Sequence, residues 1–289
     1  FGTFLVPPIV EYLMGQTSDW RSAFLVVGSS FLVLLLAASM FMQTPEEVRM
    51  KPYGWHELSD LQRENLRDYT LKEALKTRRF WMMYSMFFLG TVGATIFLAE
   101  ADPFVSIYGL NGEVAAAAIG FFGAGSLISR LITGPLSDKL GDRAALFSSF
   151  LPELIGLAAL PFIVNNLALF FAAAFGIGFG YGGFLATLIA LAGNLFGSKW
   201  TQNIWAVMET GYGFGGLIGP IAAGIFFDSF NNYTGILEIS AIGVFAALIL
   251  VLSFPRDQVR GAKSNNLIPA NKWNFFRRVQ ELSKEPRIE

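Results

Sequence analysis

Long apolar runs constrain this chain more than any other feature of its sequence. Seven full-length runs cover residues 21–42, 80–101, 114–134, 144–164, 167–193, 204–227 and 234–254, and a shorter one covers 1–15. A helix needs about 20 apolar residues to cross a bilayer. Backbone polar groups find no water in hydrocarbon, so such spans must be helical. We therefore predict an all-α polytopic membrane protein with eight transmembrane helices, the first of them incomplete.

Composition supports a membrane protein. Only 15% of the 289 residues are charged and the mean hydropathy is +0.49, whereas a soluble domain carries about 25% charged residues. The absence of cysteine excludes disulfides and thiolate metal sites.

The basic residues predict the orientation of the chain in the membrane. Of its 21 lysines and arginines, all but Arg21 and Arg130 lie in four segments, at 43–79, 135–143, 194–203 and 255–289. Alternating spans place these segments on one side, which the positive-inside rule makes cytoplasmic. We expect a multi-pass plasma-membrane protein with a cytoplasmic carboxy-terminus.

Three patterns concern the membrane surface and the packing of helices. Thr70 and Glu73 have the spacing of a capping box, which predicts a short amphipathic helix before the third run. Trp273, Phe276 and Val279 predict a second amphipathic helix in the tail. The many glycines of runs 167–193 and 204–227 predict close contacts between helices.

Arg130 is the candidate substrate-binding residue, because it is a cation within an apolar run. A charged residue at the centre of a membrane helix costs about 2.5–3.5 kcal/mol on insertion scales. Its helical neighbours, including Ser126, Thr133 and Gly134, form a small and polar face that predicts a cavity or a tight helix contact. The alternative is a fixed ion pair that joins two helices.

Two acids are candidates for proton coupling. Glu209 is the expected partner of Arg130, because it lies at a similar depth, and it shares a helical face with Trp205 and Tyr212. Glu153 lies near the centre of its own run. Burial disfavours a charged carboxylate, so either acid could take up a proton, and the alternative for each is a neutral structural role. We include Tyr212 and Ser126 in the substrate site, with Trp205 and Tyr181 as weaker candidates.

The segment from Gly134 to Arg143 is the most specific motif. We read 135–143 as a charged turn in which Asp138 reaches a neighbouring helix end, while Lys139 and Arg143 face headgroups or acids. The sequence Gly134-Pro-Leu-Ser-Asp138-Lys139-Leu-Gly141-Asp142-Arg143 resembles the Gly-x-Leu-(Ala/Ser)-Asp-(Arg/Lys)-x-Gly-x-Arg motif of the major facilitator superfamily.

This resemblance implies a major-facilitator-type bundle of which the chain holds helices 5 to 12 of twelve. Residues 1–42 would end an amino-terminal bundle, 43–79 would form a cytoplasmic linker with its amphipathic helix, 80–254 would form a carboxy-terminal six-helix bundle, and 255–289 a cytoplasmic tail. Residues Gly134, Asp138, Lys139, Gly141 and Arg143 would form a conformational gate.

A closer resemblance is to the oxalate/formate antiporter and monocarboxylate transporter branch. It rests on Asp19-Trp20-Arg21, on the segment from Asp68 to Trp81, and on Phe196-Gly-Ser-Lys199. In this branch the position of Arg130 carries an arginine that binds carboxylate. Oxalate exchangers also carry a lysine in helix 11, where this sequence has Gly211. The resemblance therefore implies transport of small organic anions, and this departure favours monocarboxylates, by proton coupling or anion exchange.

Other classes of protein fit less well. A zinc protease needs His-Glu-x-x-His, but the single histidine, His56, lies in the linker, and the segment from Gly193 to Lys199 lacks P-loop spacing. A transporter of another solute and a non-transporting sensor or scaffold remain as alternatives. We expect no enzyme activity, no cofactor or metal, no nucleic acid, and a monomer whose partners are the bilayer and a small carboxylate.

Overall fold

A computed structural model describes residues 6, 9–10, 12–15, 19–41, 68–197 and 200–254. These residues are helical, with short connections, and the helices are α1 (Trp20–Ser39), α2 (Leu71–Leu75), α3 (Arg78–Ile107), α4 (Gly112–Leu140), α5 (Asp142–Ile163), α6 (Leu167–Phe196), α7 (Thr201–Phe230) and α8 (Thr234–Ser253). All but α2 are long and apolar enough to cross a membrane. The predicted all-α membrane fold is therefore confirmed. The run 1–15 lies partly outside the described residues, and the helix predicted in the tail lies wholly outside them.

The predicted turn at 135–143 is wrong, because α4 continues as a helix through Pro135 to Leu140 and only Gly141 separates it from α5. A helix satisfies its own backbone groups, so it can extend beyond the hydrocarbon as readily as a loop. The 29 residues of α4 span roughly 43 Å, which exceeds the roughly 30 Å hydrocarbon core.

Gly141 makes the sharp connection possible. Its φ of +92° lies in the left-handed region, which a residue with a Cβ rarely adopts. Beside it, the buried Ser137 hydroxyl donates a hydrogen bond to Asp142. Arg143 donates to the carbonyl of Leu252 in the last turn of α8, where the helix dipole favours a cation. Arg143 therefore binds a helix end, in contrast to the predicted contact with headgroups or acids.

The capping box predicted at Thr70 is present at the start of α2. The Thr70 hydroxyl accepts from the Glu73 backbone N–H, and the Glu73 carboxylate accepts from the Thr70 backbone N–H at 2.9 Å. Ala74 is fully buried, and the Trp81 indole donates to the Leu75 carbonyl at 2.9 Å. These contacts fix the short helix against the start of α3.

Helices α3–α5 and α6–α8 pack as two corresponding sets of three. Helices α4 and α5 both pack on α6, and helices α7 and α8 both pack on α3. Helices α5 and α8 also pack on each other. Helices α3 and α6 are the most buried along their length. Helices α4 and α7 flank α3 and α6 with little contact between each other, and we call the surface of α3 and α6 that lies between them the cleft.

Glycines bring α4 and α6 into backbone contact, as the glycine-rich runs predicted. A Cβ on Gly178 would overlap the backbone of Phe122, and a Cβ on Gly182 would overlap that of Ser126. Small residues allow helices to approach closely, and the resulting dispersion contacts stabilise helix pairs in membranes. This contact fixes the position of α4, and therefore of Arg130, relative to α6.

Candidate functional site

Polar and aromatic side chains from three helices converge in the cleft. We call the group formed by Arg130, Tyr181, Trp205, Glu209 and Tyr212 the cleft cluster. Arg130 belongs to α4, Tyr181 to α6, and the other three to α7. Arg130 lies about two turns after Phe122 on α4, and the Phe122 ring packs against the Tyr181 ring.

Arg130 lies at the exposed edge of the α4–α6 contact. Its helical neighbours Ser129 and Thr133 are fully buried, and both meet glycines of α6. Among the described residues, none forms a hydrogen bond or an ion pair with Arg130. Its five N–H donors are therefore available on the open side of the bundle.

The two tyrosines join α6 to α7 across the floor of the cleft. Their hydroxyl oxygens lie 2.8 Å apart, and either can be the donor. The Tyr212 ring centroid lies 5.8 Å from that of Phe87 on α3, and the Tyr181 centroid lies 5.4 Å from that of Phe122 on α4. Aromatic contacts on both sides hold the hydroxyl pair in one place.

The Glu209 carboxylate accepts a hydrogen bond from a residue of its own helix. The Trp205 indole N–H, one turn earlier on α7, donates to Glu209 Oε1 at 2.7 Å. The Trp205 ring packs against Phe87 at 5.3 Å between centroids, so the indole is itself fixed. No donor to the other carboxylate oxygen is found among the described residues. Glu209 and Arg130 form no ion pair with each other, although the sequence suggested them as partners.

Two further candidates lie outside the cleft cluster. Ser126 is 9% exposed and lies in the α4–α6 contact against Gly182. Glu153 is fully buried between α5 and α6, against Gly180. Both oxygens of the Glu153 carboxyl lack a hydrogen-bond partner in the part of the chain that is described. The structure therefore separates Glu153 from the residues that border the cleft.

Gly211 faces helix α3 at the position where the resemblance suggested a second cation. It is buried, and a Cβ added there would lie 3.1 Å from the Tyr84 ring. Tyr84 also hydrogen-bonds with the adjacent Thr210, at 3.2 Å between hydroxyl oxygens. A side chain at 211 would require the Tyr84 ring to shift by a few tenths of an ångström.

A separate hydrogen bond joins two elements away from the cleft cluster. The Tyr233 hydroxyl donates to Glu100 Oε2 at 2.6 Å, which ties the loop before α8 to α3. Burial, together with this hydrogen bond, raises the pKa of Tyr233 above its usual value, so the hydroxyl remains a donor.

Sequence reasoning missed the contacts that join these helices. The spacing of Trp205, Glu209 and Tyr212 on one helical face was visible in the sequence. The Tyr181–Tyr212 hydrogen bond and the packing of Phe87 on both α7 aromatics were not, because they join residues far apart in the chain.

Comparisons with known proteins identify the family of this chain. The chain is 27% identical over 204 residues to the uncharacterized MFS-type transporter YhjX of Escherichia coli, covering 70% of this chain and 48% of that protein. It is 27% identical over 189 residues to the oxalate:formate antiporter of Oxalobacter formigenes, covering 64% and 44%. The chain thus spans about half the length of these relatives.

Solved structures share the fold at low sequence identity. A POT family transporter in complex with 5-aminolevulinic acid superposes with a TM-score of 0.55 at 20% identity, covering 71% of this chain and 44% of that one. The peptide transporter POT in complex with sulfate gives 0.53 at 18%, covering 70% and 44%. The family model described as Major Facilitator Superfamily matches residues 1–121 and 93–286. This chain therefore belongs to the Major Facilitator Superfamily of membrane transporters.

Proposed function

We propose that the protein to which this chain belongs is a secondary active transporter of small organic anions, above all monocarboxylates. One observation carries the proposal: Arg130 is exposed at the edge of the cleft and has no hydrogen-bond or ion-pair partner among the described residues. A guanidinium can donate two parallel hydrogen bonds to a carboxylate, which would compensate its charge within the membrane. The resemblance to the oxalate:formate antiporter supports the same substrate class.

The number of cations near the cleft favours a substrate with one carboxylate group over a substrate with two. Arg130 is the single lysine or arginine in the described parts of α4, α6 and α7 that lies away from their ends. Gly211 has no side chain and packs against Tyr84, so this position does not supply the second cation of an oxalate exchanger. A dicarboxylate would therefore keep one uncompensated charge at this cleft.

Alternating access provides the transport mechanism in this proposal. The cleft between α4 and α7 would face the other half of a complete transporter, and the two halves would rock around a substrate near the membrane midplane. Residues 1–42 would belong to that other half, 43–79 would link the halves, and 80–254 would form the bundle described above. Glu209, which borders the cleft, is the acid we assign to proton coupling or exchange.

The motif residues form the gate in this proposal. The Arg143 contact with the end of α8 and the sharp bend at Gly141 join three helices at one end of the bundle. Gly134, Asp138 and Lys139 lie on the extended end of α4 beside this contact. The distribution of lysine and arginine supports a cytoplasmic location for this end and for the tail, in a plasma-membrane protein.

Uptake into proteoliposomes tests the proposal. We would reconstitute the full-length parent protein and measure entry of labelled lactate, formate and oxalate, under a proton gradient and with preloaded exchange. We expect saturable uptake of a monoanion that is lost in Arg130→Gln and kept in Lys76→Gln, which neutralises an exposed cation outside the cleft. Normal uptake by Arg130→Gln would refute the role of Arg130, and no uptake of any anion would favour another solute or a non-transporting role.

A further inference from the structure

Four basic side chains lie close together where helix α2 meets the start of helix α3. We call this group the basic surface, and it consists of Lys72, Lys76, Arg78 and Arg79. The first three side chains are exposed, and that of Arg79 is half-buried. None of the four side chains forms a hydrogen bond or an ion pair with another residue in the described ranges. All four are therefore available to a negatively charged partner.

Hydrogen bonds fix the turn that carries the basic surface. The Thr77 hydroxyl donates to the Ala74 carbonyl at 2.7 Å and accepts from the Phe80 backbone N–H at 3.2 Å. The Trp81 indole donates to the Leu75 carbonyl at 2.9 Å. Helix α2 also packs on both α3 and α7. The fixed turn holds the cations near one another, where like charges repel.

The basic surface lies at the level of the lipid headgroups. Arg78 and Arg79 are the first two residues of α3, and the apolar run 80–101 begins directly after them. When that run lies in hydrocarbon, both arginines lie at its boundary. Trp81 is 52% exposed, and its indole N–H already has an acceptor within the protein. Tryptophan rings are enriched at this depth, where one side of the ring contacts lipid.

The acidic residues of this segment do not balance its positive charge. Residues 68–81 contain four cations and two acids, Asp68 and Glu73. The Glu73 carboxylate accepts hydrogen bonds from the backbone N–H and the hydroxyl of Thr70. A phospholipid headgroup with a net negative charge would compensate the excess of cations, whereas the headgroup of phosphatidylcholine carries its own ammonium. Clusters of basic residues beside a membrane helix bind anionic lipids for this reason.

We propose that the basic surface is a binding site for anionic phospholipids, in the cytoplasmic leaflet if the chain has the orientation proposed above. The headgroup phosphate would accept hydrogen bonds from the lysines and arginines, and an acyl chain would lie along the Trp81 ring. Because the surface combines residues of α2 and α3, a bound lipid would bridge the two helices and offset the repulsion between their cations. The proposal concerns the bilayer and not the transported solute, so it is independent of the proposed function.

Brominated lipids provide the test, because bromine on an acyl chain quenches the fluorescence of a tryptophan that it contacts. We would reconstitute the full-length parent in vesicles of equal parts phosphatidylcholine and phosphatidylglycerol, with bromine on one lipid or on the other. The contribution of Trp81 is the difference between each protein and the same protein carrying Trp81→Phe. Comparing the two bromine placements gives the lipid preference at the basic surface.

Two triple variants separate the effect of charge from that of structure. Lys72→Gln/Arg78→Gln/Arg79→Gln removes three of the four charges. The matched control, Lys72→Arg/Arg78→Lys/Arg79→Lys, replaces the same side chains and keeps every charge. A cation close to an anionic membrane surface contributes roughly fivefold to binding.

In the unsubstituted protein we expect a preference for phosphatidylglycerol of at least about fivefold. The glutamine variant should lose this preference, and the charge-conserving variant should keep it. Equal quenching by the two lipids in the unsubstituted protein would overturn the proposal, as would an equal loss of preference in both variants. No quenching of Trp81 by either lipid would also overturn it, because the basic surface would then face a partner other than the bilayer.

Discussion

Replacing Gly178 by alanine should separate α4 from α6. A Cβ at this position would lie 2.6 and 2.7 Å from the backbone carbonyl carbon and Cα of Phe122, where ordinary contacts begin at 3.4 Å. Because the obstructing atoms are backbone, no side-chain rotation can relieve the overlap. The two helices must therefore move apart by roughly 1 Å along their most extensive contact.

The size of the effect follows from this displacement. Overpacking of a well-packed interior costs about 1–3 kcal/mol. For a protein of this size, each kcal/mol lowers the melting temperature by about 2–4 °C, so we expect a decrease of about 2–12 °C. Transport should weaken as well, because Arg130 lies about two turns beyond Phe122 on the displaced helix.

The assay is thermal unfolding of the purified full-length parent in detergent, followed by size-exclusion chromatography. Gly193→Ala is the matched control, since it lies on the same helix and a Cβ there would meet nothing within 4 Å. Alanine favours helices over glycine by up to about 1 kcal/mol, so the control should be neutral or slightly stabilising. If Gly178→Ala melts within about 1 °C of the control, the close contact between α4 and α6 is refuted.

Three further predictions concern single contacts, each read as the melting temperature of the full-length parent. Gly141→Ala should destabilise by about 1–2 kcal/mol, because alanine disfavours the left-handed backbone there, and a result equal to that of Gly120→Ala, where a Cβ meets nothing, would contradict this. Tyr233→Phe should cost about 1–3 kcal/mol by leaving the Glu100 carboxylate without its donor, and an unchanged melting temperature would show that the bond contributes nothing. Glu153→Met should be neutral or stabilising with transport retained, because an apolar side chain of similar length replaces an unpartnered buried carboxyl. Loss of transport in that variant would instead make Glu153 a coupling residue.

The relation between sequence and site is clearest on α7. Trp205, Glu209 and Tyr212 follow helical spacing, so their shared face could be predicted from the sequence. That Glu209 binds Trp205, and does not pair with Arg130, depends on the distance between α4 and α7. The distance between these two helices cannot be predicted from local sequence patterns.

At the motif around Gly141, by contrast, the prediction from the sequence was wrong. Its polar residues suggested a turn because loops in membrane proteins are polar. A helix that emerges from the bilayer has the same composition as a loop, since both face water. The structure extends α4 to Leu140 and confines the bend to Gly141, where the backbone conformation requires glycine.

The sequence by itself determined the number, type and approximate bounds of the membrane helices in the described chain. It could do so because each helix must satisfy its backbone within a single apolar run. Local spacing also determined the capping box at Thr70 and the polar face of α7. Only the tertiary structure decided which charges remain unpaired. Helix packing sets the separation of Arg130 from Glu209, buries Glu153 between α5 and α6, and turns Gly211 towards Tyr84, and packing depends on contacts between residues that are distant in the chain.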